Sequence, residues 1–152
     1  ISSQQGPLIS PDSYRKIIKP RTRDLINVIK SKTKAKVALH SCGSVSWAID
    51  DFIEIGIEVL NPVQVSAAHM DTKELKKKYG NSMCFWGGID TQRVLPRGTV
   101  KDVEEEVKKR IDDLAKGGGY LFAPVHNIQP DVPPENIIAM YKTGLSYGRY
   151  QG

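Results

Sequence analysis

Apolar residues recur along the chain in two alternating patterns. Four short, almost continuously apolar runs read as strands: Lys36-Val37-Ala38-Leu39-His40, Glu58-Val59-Leu60-Asn61-Pro62-Val63-Gln64, Met83-Cys84-Phe85-Trp86-Gly87-Gly88-Ile89-Asp90 and Tyr120-Leu121-Phe122-Ala123-Pro124. Helical patterns separate them, from Val45 to Ile55 before Gly56, from Asp71 to Tyr79 before Gly80, and from Val100 to Ala115 with Thr99 or Asp102 near its cap. A last helix opens at Pro133-Pro134-Glu135-Asn136. A longer one precedes the first strand, opening at Ser10-Pro11 and carrying Tyr14, Ile17, Ile18, Leu25, Ile26 and Ile29 as its apolar stripe. Pro20 is expected to kink that helix or divide it.

Apolar strands separated by helices mark a parallel sheet covered on its faces, so the fold class is α/β. Right-handed crossovers then leave two architectures, a doubly wound sheet or a barrel. The polar positions favour the barrel. Functional groups of parallel α/β folds gather at the carboxyl ends of the strands. Here every strand ends in them: His40-Ser41-Cys42, Asn61 with Gln64, Asp90 with Gln92, and His126-Asn127. Four successive units facing one rim describe a barrel mouth better than a crevice served by one or two loops.

The chain has 152 residues, enough for one domain with a core, here residues 1–152. Its formal charge of +5 raises the question of nucleic acid. The basic clusters Lys30 to Lys36, Lys76 to Lys78 and Lys108 to Arg110 sit where helices are expected to end, and no aromatic residues interleave with them. Solvated helix ends explain them, and no nucleic-acid partner is expected. No stretch approaches the roughly 20 apolar residues of a membrane span. The N-terminal residues, which do not begin with Met, carry neither the basic nor the apolar region of a signal peptide, so a fragment or processed product is expected. Two cysteines make no disulfide framework, and reduced thiols in a cytoplasmic protein are expected.

The sharpest chemical feature is His40-Ser41-Cys42-Gly43. Strand alternation puts His40 and Cys42 on one side, where an imidazole and a thiolate can share a metal. A core histidine beside a buried thiol is the plainer alternative. His126 lies at the matching end of the fourth strand, in a proline-rich loop that closes on a helix start. Asp90, after Gly87-Gly88, suits either a ligand-orienting carboxylate or a turn cap. Asn61, Gln64 and Asn127 are candidate ligand-binding amides. Cys84, at the far end of its strand, reads as a buried thiol, and His69 as a surface loop residue. Gly117-Gly118-Gly119 precedes a strand instead of opening a helix and reads as a connector, while Trp47 and Trp86 are assigned to packing.

Leu39-His40-Ser41-Cys42-Gly43, Leu60-Asn61-Pro62-Val63-Gln64, Phe85-Trp86-Gly87-Gly88-Ile89-Asp90 and the loop from His126 to Asn136 together resemble the second half of the uroporphyrinogen decarboxylase superfamily. The resemblance covers almost the whole chain. It implies the C-terminal half of a TIM (β/α)8 barrel: the last four strand–helix units and the helix before them. One branch of that superfamily consists of corrinoid-linked methyltransferases that bind zinc through a His-x-Cys pair and a later cysteine. His40 and Cys42 match the pair, and His126 stands where the later cysteine falls. The resemblance therefore implies zinc on His40, Cys42 and His126 and a cobalt corrinoid on a partner protein, and catalytic roles are expected of Asp90 and His126. The other branch removes carboxylates from a tetrapyrrole without a cofactor, with Arg93 and Arg97 as the nearby cations here. A third reading is a half-barrel inactive alone, working with a missing N-terminal half or a second copy.

Overall fold

The computed structural model describes residues 1–149; Tyr150, Gln151 and Gly152, the end of the expected 1–152 domain, lie outside the described residues. The chain opens with a clasp in which Ser2 bridges to Pro7. Ser10 then caps α1 (Pro11–Ser13), its side chain accepting the Ser13 N–H. A π-helical turn over Tyr14–Ile18 joins α1 to α2 (Lys19–Lys32). The expected division at Pro20 thus takes the form of a widened turn just before it. Pro20 has no N–H to donate, its ring crowds the carbonyl one turn back, and a wider turn relieves both.

Four strand–helix units follow. They comprise β1 (Ala38–His40) with α3 (Ile49–Glu54), β2 (Val59–Val63) with α4 (Thr72–Tyr79), β3 (Cys84–Ile89) with α5 (Val94–Arg97) and α6 (Val100–Leu114), and β4 (Tyr120–Pro124) with α7 (Pro134–Tyr147). The first strand is shorter than its apolar run predicts, and a 3₁₀ turn at Ser46–Ala48 replaces the start of the helix expected from Val45. The short α5 has no counterpart in the sequence prediction. Asp71 caps α4 by accepting from Glu74 N–H, and Thr99 with Asp102 forms a reciprocal capping box on α6.

All four strands are parallel and lie in chain order, β1-β2-β3-β4. Sequential order with crossovers of one hand places every helix on one face of the sheet. That is the arrangement of half a (β/α)8 barrel. The helix-facing residues Leu60 and Phe85 are fully buried with Phe52, Met70 and Leu114, while Ile89, Leu95, Val103, Val107 and Met140 form a second core under α6 and α7. The opposite face meets no helix and is open in part. Register pairs Ala38 with Val59, Val59 with Cys84, His40 with Asn61, and Trp86 with Leu121. Of these, Trp86 and Leu121 are 39% and 46% exposed.

Two sequence assignments change. Of Lys108 to Arg110 only the two lysines are solvated: Arg110 is buried, holds both oxygens of Glu106 and donates to Thr72 Oγ1 across to α4. The sequence misses this because Arg110 shares the helix face of Val103 and Val107, where burial demands a paired charge. Trp86 is not a packing residue among the described residues, whereas Trp47 is, edge-on to Tyr14 and donating to Ser2 Oγ. Among the described residues no helix is long and apolar enough to cross a membrane.

Replacing Phe85 with Ala is expected to cost about 3–5 kcal/mol in denaturant unfolding, and Thr99→Ala about 1 kcal/mol. Glu58 ties β1 to α2, pairing with Lys36 and Lys30 and accepting the Val37 N–H. Its hydrogen bond from Lys36 holds the carboxyl down at about 2. The stability it adds is therefore present above the ordinary glutamate range and is lost as pH falls toward about 2. Acid titration of unfolding should be shallower in Glu58→Gln, and an unchanged acid limb would count against this tie.

Candidate metal centre

Backbone alternation sets His40 on the bare face at the carboxyl end of β1, beside its register partner Asn61. The loop after β1 turns at Gly43, whose φ is +94° and where a Cβ would lie 2.5 Å from the Ser3 carbonyl oxygen, leaving no room for a side chain. Two bonds hold this loop: Gly43 N–H donates to Gln64 Oε1 at 2.7 Å, and Ser44 N–H donates to Ser3 O at 2.8 Å. Gln64 is 4% exposed, so its amide is spent on pinning the loop that carries Cys42. The N-terminal clasp, which the sequence did not single out, covers the same loop from outside.

Cys42 Sγ lies 3.4 Å from His40 Nε2, and His40 Nδ1 lies 2.6 Å from Asn61 Oδ1. The rigid loop after β4 brings His126 over the mouth, its ring edge-on to that of His40 with centroids 6.1 Å apart. One nitrogen from each histidine and the Cys42 sulfur all lie within 4.8 Å of one another. His40 and His126 are exposed and Cys42 is half-buried. Three donor atoms at this spacing, with the mouth open beside them, suit a single metal ion with a free coordination position. Burial pushes the Cys42 thiol above its ordinary value, so in the absence of a cation the sulfur stays protonated and weakly nucleophilic.

The remaining candidates divide. Asn61 and Asn127 line a cavity of about 500 Å³ with His40, His126, Trp86 and Tyr141. Asp90 is 7% exposed, and its carboxylate accepts the Gln92 and Arg93 N–H groups, which is the turn-cap alternative. It does not line that cavity. Cys84 is half-buried on the bare face at the opposite end of β3, away from the trio, and His69 is exposed in a loop. Arg93 and Arg97 are exposed after β3. Asn136 of the proline-rich segment is buried and structural, donating to Leu95 O and Gly98 O. Trp86 and Tyr141 were missed. Alternation from Cys84 places Trp86 on the inner side, so a signal for it existed; Tyr141 reaches the cavity only through the packing of α7.

Fold and site together define a half-barrel of the parallel (β/α)8 type with a mixed nitrogen and sulfur donor cluster at its mouth. The chain matches the profile "Uroporphyrinogen decarboxylase (URO-D)" over residues 1–147, and it belongs to that family. The uroporphyrinogen decarboxylase of Geobacter metallireducens is 29% identical over 136 residues, covering 89% of this chain and 37% of that protein. That of Staphylococcus haemolyticus is 26% identical over 132 residues, covering 85% of this chain and 35% of that protein. Among solved structures, a methyltransferase from Methanosarcina mazei superposes with a TM-score of 0.69 at 26% identity, covering 90% of this chain and 37% of that one. The chain thus spans little more than a third of the length of these relatives.

In a Cys84→Ser background, iodoacetamide should alkylate Cys42 of metal-free protein more slowly at neutral pH than an unstructured cysteine peptide. Fast neutral alkylation would contradict the half-buried, protonated thiol.

Proposed function

We propose that the chain supplies the metal-bearing half of a zinc-dependent methyltransferase of this family, moving a methyl group between a corrinoid and a thiol acceptor. The observation that carries the reading is the clustering of His40, Cys42 and His126 donors within 4.8 Å at the barrel mouth. Two imidazoles, a thiolate and an open position fit zinc, and imidazole is itself a good zinc ligand. Bound there, zinc would favour the deprotonated form of an acceptor thiol. Trp86 and Tyr141 give the cavity an aromatic wall, and the amides of Asn61 and Asn127 offer hydrogen bonds to the acceptor's polar end. Likeness to the Methanosarcina mazei methyltransferase supports this branch.

The bare inner face supports a second element of the reading, that a complementary half-barrel and a corrinoid-bearing partner protein complete the active unit. Catalysis by this chain alone is not expected, yet all three metal donors belong to it. Tetrapyrrole decarboxylation is the alternative, favoured by the decarboxylase names of the relatives in Geobacter and Staphylococcus.

Metal analysis after dialysis should find one zinc per chain, falling to trace in Cys42→Ser and in His126→Ala. Absence of zinc from the wild-type chain would overturn the reading, and so would uroporphyrinogen decarboxylation by metal-free full-length protein.

A further inference from the structure

We infer that Asn61 is a positioning residue that selects the tautomer of His40 and thereby presents its Nε2 lone pair to the metal site. The inference rests on the zinc reading for its consequence, and on geometry alone for its cause. Asn61 is the register partner of His40 on the neighbouring strand, so the backbone ladder fixes the two side chains side by side. The Asn61 carbonyl oxygen has no hydrogen to give. At 2.6 Å from Nδ1, it must accept, and Nδ1 must carry the proton. Neutral imidazole holds one ring proton, so Nε2 is left with a free lone pair. That atom is the one facing Cys42 Sγ at 3.4 Å.

The Cys42 thiol, 3.4 Å from Nε2, can add only a weak S–H donation toward the same tautomer, and neither the neighbouring amide nor the neighbouring carboxylate shares the duty. Gln64, three residues further along the chain, is occupied by the Gly43 N–H, and Asp90 is occupied by its own turn. The loop of Cys42 and the ring of His40 are therefore held from one segment, Asn61-Pro62-Val63-Gln64, by different amide oxygens. A ring held in this way loses less rotational freedom and needs no tautomer exchange when a ligand bond forms, which tightens binding.

The test uses the 152-residue chain in wild-type form and as Asn61→Leu and Asn61→Asp. Two-bond ¹H–¹⁵N correlation spectra of metal-free protein, at a pH where imidazole is neutral, report which His40 nitrogen is protonated. Wild type and Asn61→Asp should show an Nδ1–H ring, and Asn61→Leu a mixture dominated by the Nε2–H form. Zinc competition against a chromophoric chelator should show about 10–100-fold weaker binding for Asn61→Leu, largely restored in Asn61→Asp. An Nδ1–H ring persisting in Asn61→Leu would overturn the inference, as would unchanged zinc affinity in that variant. If the wild-type chain takes up no zinc, the metal reading falls, and the spectra alone then decide the role of Asn61.

Discussion

Because the four parallel strands lie side by side in chain order, every crossover helix falls on the same face of the sheet. The helix-facing positions then pack into the two cores, and the other face has no helix to meet. That asymmetry accounts for most of what is unusual in the molecule. It buries Leu60 and Phe85 completely while leaving Trp86 and Leu121, on neighbouring strands, substantially open. It also aims alternate residues of every strand into one shared space, which is what a catalytic mouth requires.

Within that space, chemistry depends on backbone held from several directions. His40 takes its place from the ladder between β1 and β2, and Cys42 from a loop pinned by Gln64 and the N-terminal clasp. His126 comes from the opposite edge of the sheet, on a loop stiffened by prolines. Donors drawn from separate elements, two of them held by separate hydrogen bonds, form a site that exists before any ligand arrives. Such preorganisation lowers the ordering cost of binding.

The bare face is also a liability. Exposed apolar side chains between two unpaired strand edges, β1 and β4, invite association. Ile138 and Leu145 on α7, with Leu25 and Val28 on α2, extend the apolar surface along both flanks. The relatives are long enough to contain a complementary half-barrel, since this chain spans only 37% of the Geobacter metallireducens protein.

Much of this was legible in the sequence, because hydrophobic period and strand-end polarity are local properties. The four strand–helix units, the helix start at Asp71, a cap at Thr99 or Asp102, the break near Pro20 and the pairing of His40 with Cys42 all follow from residues near one another in the chain. Tertiary structure decided what depends on distant partners. It buried Arg110 against Thr72, spent Asp90 on its own turn and Gln64 on Gly43, and opened Trp86 to the cavity. It also set His126 beside His40, 86 residues away in the chain, at a centroid distance of 6.1 Å. Local pattern specifies which residues face inward at a strand's end. Only the curvature of the assembled sheet specifies which of them meet.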